Sequence, residues 1–296
     1  MIQSSSLKPA QSSGAVRLAA LLQEPDIIQM PCCFDAFSAM LIERAGFEAT
    51  FISGFASIAA RYALPDMGLI DGTAALEIAR PILERTGIPV LTDLDTGYGG
   101  AINIRHTLQQ FARAGAAAVM IEDQVWPKRC GHVAGKQVVP RREAISRLRA
   151  AAAARDELGE PLLILARTDA RETDGPDEAL YRAQAFAECG ADMVFVEAPR
   201  NLSELKQIPK RVPVPCMANM LEEGVTPFLD SAQLQDLGYK LVAYPLTLLS
   251  AGAAAIVEAL SGLKAGREVE RRMSFEEMKT LLGFVPLGEW GADFSD

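Results

Sequence analysis

The sequence predicts an α/β fold, a (β/α)8 barrel of the TIM type, on three observations. Eight short apolar segments alternate with stretches of helical periodicity, which is typical of a parallel sheet covered on both faces. Three helical stretches end in a glycine (Gly46, Gly115 and Gly190) directly before an apolar segment, where a left-handed residue is expected. The length of 296 residues accommodates one barrel. An open doubly wound sheet would usually have fewer strands, and no glycine-rich nucleotide motif is present.

The predicted strands are four to six residues long and consist mainly of aliphatic residues. In chain order they are Ile27–Pro31, Ala49–Ser53, Val90–Asp93, Ala117–Glu122, Leu162–Arg167, Met193–Glu197, Val214–Asn219 and Leu241–Tyr244. The predicted helices, with apolar residues three and four apart, include Asp35–Ala45, Thr73–Arg85, Asn103–Ala114, Arg142–Leu158, Pro176–Cys189, Ser231–Leu237, Thr247–Leu263 and Ser274–Phe284. We expect residues 1–14 to be disordered and residues 15–296 to form a single barrel domain with a C-terminal helical tail.

Composition excludes several classes of partner. The net charge of −9 and the pI of about 5.0 give no electrostatic basis for binding nucleic acid or an anionic membrane. The five cysteines follow no metal-binding or disulfide spacing, which is typical of a reduced compartment. The serine-rich start lacks the apolar core of a signal peptide, and no apolar run reaches about 18 residues without a charge. We therefore expect a cytoplasmic protein without a membrane span.

Polar side chains follow almost every predicted strand. The carboxyl ends of barrel strands meet at one face, which is where barrel enzymes carry their active sites. The folding of an apolar strand does not require a polar residue at its end, so polar residues at nearly all strand ends indicate a functional site. The polar residues at the strand ends are Ser53, Asp93, Asp95, Glu122, Arg167, Glu197 and Asn219.

Three of these residues predict a metal site. Asp93 and Asp95 are two residues apart on a segment that we expect to be extended, so that both carboxylates point into the barrel mouth. Together with Glu122 they form an oxygen-only cluster suited to Mg2+ or Mn2+. The alternative is that they are ordinary capping and loop carboxylates.

A second group lies on the loop after the fourth strand, Lys128-Arg-Cys-Gly-His132. We expect its lysine, arginine and histidine to lower the pKa of the Cys130 thiol and make it reactive. The other four cysteines are interpreted as small buried hydrophobes. Arg167 is placed for a bidentate grip on a carboxylate, or alternatively for a structural pair with Glu197 or Asp169.

These motifs resemble the isocitrate lyase/phosphoenolpyruvate mutase superfamily over residues 20 to 285. The resemblance rests on four segments, and a Lys-[Lys/Arg]-Cys-Gly-His loop is typical of the carbon–carbon lyases of that superfamily, whereas its mutases lack the cysteine. The segments are Asp93-Leu-Asp95-Thr-Gly-Tyr-Gly, Glu122-Asp-Gln, Lys128-Arg-Cys-Gly-His132 and Ala166-Arg-Thr-Asp-Ala170.

The resemblance implies a Mg2+-dependent retro-aldol (Claisen-type) cleavage of a 2-hydroxy polycarboxylate. It places Asp95 on the metal directly, with Asp93, Glu122 and Asp66 reaching it through water. It assigns Cys130 the protonation of the enediolate. The residues that it implies for holding the 2-oxo acid or surrounding Cys130 are Ser53, Gly54, Phe55, Arg167, Gly131, His132, Glu197 and Asn219.

Departures from the superfamily pattern narrow the implied substrate. Where methylisocitrate lyases carry Asn-Ile-Thr, and an arginine after Tyr-Pro-Leu-Ser, this chain has Asn219-Met-Leu221-Glu and Tyr244-Pro-Leu-Thr-Leu-Leu-Ser250. This is closer to the dimethylmalate lyase, oxaloacetate hydrolase and petal death protein branch, and it implies an alkylmalate-type dicarboxylate. A phosphonomutase, an oxaloacetate-acting enzyme and a non-catalytic barrel are the alternatives. The resemblance also implies a homotetramer, a dimer of dimers that exchange their eighth helices.

Overall fold

The structure, a computed structural model, describes residues 13–159 and 161–294. Eight parallel strands form a closed barrel in sequential order, with β8 hydrogen-bonded to β1. The predicted (β/α)8 fold is therefore confirmed. The strands are β1 Ile28–Cys33, β2 Thr50–Ile52, β3 Val90–Asp93, β4 Ala118–Glu122, β5 Leu163–Thr168, β6 Met193–Val196, β7 Cys216–Asn219 and β8 Leu241–Tyr244.

The helices surround the barrel or follow it. They are α1 Gly14–Leu21, α2 Ala36–Arg44, α3 Gly54–Tyr62, α4 Gly72–Arg85, α5 Ala101–Arg113, α6 Arg141–Asp156, α7 Ala170–Thr173, α8 Pro176–Glu188, α9 Leu202–Arg211, α10 Ser231–Leu237, α11 Thr247–Lys264, α12 Phe275–Leu282 and α13 Phe284–Ala292. The sequence patterns did not predict α1, α3, α7, α9 or α13. The three C′ glycines are left-handed as predicted, with φ between 90° and 97°.

The described chain falls into two compact units, residues 13–249, which contain the barrel, and residues 250–294. The prediction of one domain over residues 15–296 therefore stays a prediction. The predicted disordered segment lies outside the described residues except for Ser13 and Gly14, which begin α1 through the Ser13 N-cap. Within the described residues, α11 alone has the length and apolar composition of a membrane span, although it contains Glu258 and ends in Lys264. Length and composition are weak evidence, because helices of soluble proteins pass the same test.

Each strand has two apolar faces, as expected for a barrel sheathed in helices. Alternate strand residues such as Met30, Phe51 and Met193 form one buried cluster, which fills the barrel interior. The intervening residues pack against the surrounding helices in a second cluster that includes Phe111 and Phe186. Of the cysteines interpreted as buried, three are buried, whereas Cys189 is only half-buried.

A buried polar network ties the ends of β4 and β5 together. The Asp123 carboxylate accepts hydrogen bonds from Thr168 Oγ1 at 2.7 Å and from the Asp169 backbone N–H at 2.9 Å. Its Oδ2 also accepts from Arg182 Nη1 at 3.0 Å, and Arg182 is itself buried on α8. Asp123 therefore sets the relative position of two strand ends that carry candidate site residues.

Removing this carboxylate should destabilise the barrel. In Asp123→Ala, the Arg182 charge stays buried with fewer partners, so we expect the free energy of unfolding in urea to fall by about 3–5 kcal/mol. Asp156→Ala is the matched control, because that carboxylate is mostly exposed in its ion pair with Arg155; it should cost much less. Equal stability losses in the two variants would contradict the structural role of Asp123.

Candidate active site

A cavity at the carboxyl ends of the strands brings together eleven of the thirteen predicted site residues. They are Ser53, Gly54, Phe55, Asp66, Asp93, Cys130, Gly131, His132, Arg167, Glu197 and Asn219. Of the other two, Asp95 borders an adjoining cavity that Asp93 and Gly54 also line. Glu122 is fully buried beside Arg167. The structure therefore places these side chains together at one face of the barrel, and their roles stay predictions.

The aspartates lie close together, but not for the predicted reason. The backbone at Asp95 is left-handed, with φ of 48°, so the segment turns where it was expected to stay extended. In this turn the Asp95 N–H donates to Asp93 Oδ1 at 2.9 Å. Burial and the Asp95 charge raise the pKa of Asp93 to about 7. Lys128 Nζ lies 2.5 Å from Asp66 Oδ1 and 2.7 Å from Asp95 Oδ1, so one ammonium group pairs with both carboxylates.

The donor set fits a hard divalent cation in its chemistry. Among residues 13–159 and 161–294, no three His, Cys, Asp or Glu side chains converge closely enough to hold an ion as placed. The ammonium of Lys128 lies between two of the predicted ligands. All four predicted ligands are nevertheless carboxylates, and neither buried oxygen of Glu122 accepts a hydrogen bond. Glu122 Oε2 pairs with Arg167 at 3.3 Å, and both oxygens keep lone pairs of the kind that Mg2+ binds.

The start of α3 forms an anion-binding edge of the cavity. Ser53 is the N-cap, and its hydroxyl accepts from the Ala56 N–H at 3.3 Å. Gly54 and Phe55 occupy the first turn, whose backbone N–H groups have no partner within a helix and carry the positive end of its dipole. Gly54 has to lack a side chain, because a Cβ there would lie 2.6 Å from Asp93 Oδ2. This edge can therefore bind a carboxylate next to the aspartates.

Arg167 is paired with protein carboxylates, which was the alternative interpretation of this residue. It donates to Asp169 through Nε at 2.9 Å and through Nη2 at 3.0 Å. Its Nη1 lies 3.3 Å from Glu122 Oε2, and its Nη2 lies 3.2 Å from Glu197 Oε2. The side chain still lines the cavity, so it presents a guanidinium that is fixed in place by three carboxylates.

The predicted effect on Cys130 is wrong. Burial raises the pKa of its thiol, and the charges of Asp66 and Glu197 raise it further. The expected cations are neighbours in sequence but act elsewhere: Lys128 pairs with two aspartates, and Arg129 Nη1 donates to the Ala134 carbonyl. The thiol therefore stays protonated over a wide pH range, which suits an acid better than a nucleophile.

His132 is held by a carboxylate and an amide. Its Nε2 lies 3.2 Å from Glu197 Oε1 and 3.5 Å from Asn219 Nδ2, and its Nδ1 lies 3.4 Å from the Val225 N–H. Burial alone would raise the pKa of Glu197, but the Arg167 charge and the His132 hydrogen bond hold it well below its usual range. Glu197 is therefore an ionised link between the histidine and Arg167.

Two further residues hold the Cys130 loop and were missed in the sequence. The side-chain amide of Gln124 makes hydrogen bonds of 2.9 Å and 3.0 Å to the backbone of Arg129. Lys136 Nζ donates to the Gly131 carbonyl and lies 2.9 Å from Asp169 Oδ1. Gln124 stood within a quoted motif, but nothing in the polar Gly135-Lys-Gln137 stretch indicates a buried lysine.

Comparisons with known proteins identify relatives of this chain. The model of the phosphoenolpyruvate phosphomutase family matches residues 18–264. The chain is 36% identical to 2,3-dimethylmalate lyase of Eubacterium barkeri, over 93% of this chain and 96% of the relative. It is 40% identical to the chloroplastic carboxyvinyl-carboxyphosphonate phosphorylmutase of Arabidopsis thaliana, over 93% and 82%.

Solved structures of other enzymes share the fold of this chain over nearly its whole length. Oxaloacetate acetylhydrolase in complex with 3,3-difluorooxalacetate superposes with a TM-score of 0.91 at 30% identity, covering 96% of this chain and 98% of the other. A phosphonopyruvate hydrolase complex with oxalate and Mg2+ superposes with a TM-score of 0.84 at 28% identity, covering 95% and 99%.

Proposed function

The chain belongs to the phosphoenolpyruvate phosphomutase family, and within it we propose that the protein is a magnesium-dependent carbon–carbon lyase. The proposed substrate is a 2-hydroxy dicarboxylate of the alkylmalate type, which is cleaved to a 2-oxo acid and a second carboxylate. One observation carries the proposal: the protonated thiol of Cys130 shares a cavity with Arg167 and with the carboxylates of Asp66 and Asp93. The cavity thus combines a proton donor, an anion site and candidate metal ligands.

Charge balance supports a divalent cation. Among the described residues, six buried carboxylates accompany four buried cations, an excess of two negative charges when all six are ionised. Burial raises the pKa of Glu122 well above its usual range, so its ionised form requires a further cation besides Arg167. The carboxylates are Asp66, Asp95, Glu122, Asp123, Asp169 and Glu197, and the cations are Lys128, Lys136, Arg167 and Arg182. A Mg2+ or Mn2+ ion would neutralise this excess. Asp95 would hold the ion, and Asp93, Glu122 and Asp66 are the other carboxylates that would take part in binding it.

Different residues of the cavity serve different steps of the proposed cleavage. When bound, the metal polarises the oxygen that becomes the carbonyl of the 2-oxo acid. The α3 edge at Ser53, Gly54 and Phe55 binds the carboxylate of that acid, and Arg167 adds a fixed positive charge. Cleavage of the carbon–carbon bond, with transfer of the hydroxyl proton to water, leaves an enediolate on the second product. Cys130 donates its proton to the carbon of this enediolate.

His132, Glu197 and Asn219 surround the proton donor. Because Glu197 stays ionised, it accepts a hydrogen bond from the imidazole of His132 and orients that ring, two residues after Cys130. Gly131 brings the backbone between Cys130 and His132 close to the Glu197 carboxylate and the Arg167 guanidinium. We assign His132 and Asn219 to binding the carboxylate of the second product and orienting it toward the thiol, and Glu197 to orienting His132.

The cavity wall supports a dicarboxylate with alkyl groups. Leu221, Pro245 and Leu246 line it. Where the resembled tricarboxylate enzymes have a hydroxyl and a later arginine, this chain has Leu221 and the segment Thr247-Leu-Leu-Ser250, so two groups that would bind another carboxylate are missing. Arg167 is the only lysine or arginine among the described residues that line this cavity. Apolar walls favour methyl or ethyl substituents because these are removed from water on binding.

Two other activities of the family stay as alternatives. A phosphorylmutase is 40% identical to this chain, and oxaloacetate acetylhydrolase has the same barrel. Cys130 favours the lyase, because mutases of the resembled superfamily lack this cysteine. The products distinguish the three activities.

We also propose a cytoplasmic homotetramer, a dimer of dimers that exchange helices. In α11 no side chain is buried, and Ile256, Val257, Leu260 and Leu263 are each about 60% exposed. Phe284 and Trp290 in α13 are similarly exposed. Apolar surface of this extent is typical of a face that another chain covers.

The test of the function is a panel of 2-hydroxy di- and tricarboxylates incubated with Mg2+, with 2-oxo acid release measured by a coupled dehydrogenase. We expect pyruvate or glyoxylate from alkylmalates, and much slower release from tricarboxylates. Oxalate from oxaloacetate, or formation of a P–C bond, without cleavage of any malate would overturn the lyase in favour of an alternative.

Removing metal should abolish turnover. We expect no activity in EDTA and recovery with Mg2+ or Mn2+, together with a metal-dependent rise in Tm. Asp95→Ala should lose both effects yet remain folded, because its removal relieves carboxylate repulsion. The exposed Asp236→Ala is the control and should retain both. Full turnover in chelator would rule out the metal site.

Removing the thiol should slow proton delivery. Cys130→Ala should lower kcat by about 10²- to 10⁴-fold, the usual contribution of a positioned acid, while oxalate, as a mimic of the 2-oxo acid, still binds. Cys130→Ser should rescue little, because a hydroxyl is a far weaker acid. Cys189→Ala, at a half-buried thiol, is the control and should keep wild-type kcat.

The pH dependence follows from the same thiol. Its acid form is lost as pH rises through its pKa, which lies above the ordinary cysteine value. The alkaline fall in kcat should therefore occur above that value and disappear in Cys130→Ser. A near-normal kcat in Cys130→Ala with a lowered Tm would instead make the cysteine a packing residue.

A further inference from the structure

The segment that carries Cys130 is fastened on both sides by buried side chains. On its N-terminal side, the Gln124 amide binds both backbone groups of Arg129. On its C-terminal side, the Lys136 ammonium donates to the carbonyl of Gly131, the residue between Cys130 and His132. The segment between these two fixed points is only a few residues long, so each limits where the thiol can lie.

The Lys136 ammonium is itself fixed by anions. Its Nζ lies 2.9 Å from Asp169 Oδ1 and 3.1 Å from Glu172 Oε2, and its side chain is fully buried. Burial alone would lower the pKa of this amine, but the charges of Asp169 and Glu197 raise it, so the group stays protonated. Asp169 also accepts two hydrogen bonds from Arg167. Lys136 therefore connects the Cys130 segment to the carboxylate that holds Arg167.

Gly131 shows how closely the segment fits this network. A Cβ at this position would overlap Glu197 Oε2 and would lie 2.6 Å from Arg167 Nη2. Both of those side chains are held by ion pairs and cannot move aside freely. The Gly131 backbone thus lies against the Arg167–Glu197 pair, with the Lys136 ammonium bonded to its carbonyl.

We propose that Lys136 is a positioning residue for proton transfer: by binding the Gly131 carbonyl and Asp169 together, it sets the distance between the Cys130 thiol and the substrate held at Arg167. The inference rests on the proposed function, in which Cys130 is the proton donor. Lys136 does not line the cavity itself and acts only through the segment that it holds. Misplacing a reacting group by about 1 Å can cost about 10²-fold in rate.

The test uses Lys136→Met, which keeps the chain length but removes the charge and the donor. We expect kcat to fall by about 10- to 100-fold, while KM changes less than about threefold because Ser53 and Arg167 still hold the substrate. The rate of Cys130 modification by an uncharged maleimide should rise at least threefold, since the segment is no longer held. Lys206→Met, at an exposed lysine on α9, should change neither quantity.

A double-mutant cycle separates positioning through the thiol from general destabilisation. If Lys136 acts through Cys130, the variant that combines Cys130→Ala with Lys136→Met should have the kcat of Cys130→Ala within about twofold. Multiplicative losses would overturn the inference. Wild-type kcat in Cys130→Ala would overturn the proposed function, whereas wild-type kcat and thiol reactivity in Lys136→Met would overturn only the role of Lys136.

If Lys136→Met does not fold, Lys136→Arg provides a second test of the same proposal. It keeps the charge that Asp169 and Glu172 require, but the planar guanidinium directs its donors in a fixed fork and cannot reproduce the three contacts of an ammonium. We expect a Tm near that of the wild type, a kcat at least threefold lower and faster maleimide modification. Wild-type values for both kcat and modification would overturn the proposal.

Discussion

The guanidinium of Arg167 fixes the geometry on which the site depends. It contacts Glu122 at the end of β4, Asp169 after β5 and Glu197 after β6, so one cation holds carboxylates from three consecutive strand ends. Leaving any of these charges buried without a partner would cost several kcal/mol. The strand ends are therefore constrained relative to one another before any ligand binds. Asp123, directly after β4, adds to this constraint, because its carboxylate accepts a hydrogen bond from the Asp169 backbone N–H.

The same network explains why a thiol suits this cavity as an acid. Its buried groups carry more negative than positive charge, and an additional ionised group would be unfavourable without a metal. A thiol that is buried near Asp66 and Glu197 keeps its proton, since ionisation would add another negative charge. Such a group gives up its proton only to a stronger base, and an enediolate carbon is one. The electrostatics that make Cys130 a poor nucleophile are thus the ones that preserve it as a donor.

Sequence patterns predicted the parts of the structure that local chemistry determines. The left-handed glycine at the end of α2 and the gathering of polar residues from most strand ends at one face follow from backbone geometry and barrel topology, and the structure has both. The lowered pKa of Cys130 was wrong because it assumed that Lys128 and Arg129, adjacent in sequence, are adjacent in space. Loop folding instead directs Lys128 to Asp66 and Asp95. Lys136 was missed for the same reason: its partners come from other segments.

Two glycines show how the loops are fitted to this charge network. A side chain at Gly54 would collide with Asp93, and one at Gly131 would collide with Glu197 and Arg167. In both places the backbone approaches an anion that the strands already hold, and it brings a functional group with it: the amides of α3 in one case and the Cys130 thiol in the other. The strands therefore supply fixed charges, and the loops supply the groups that contact substrate. Because the loops are joined to the network by a few contacts such as that of Lys136 with Gly131, their sequences can change the reaction while the charged framework stays intact.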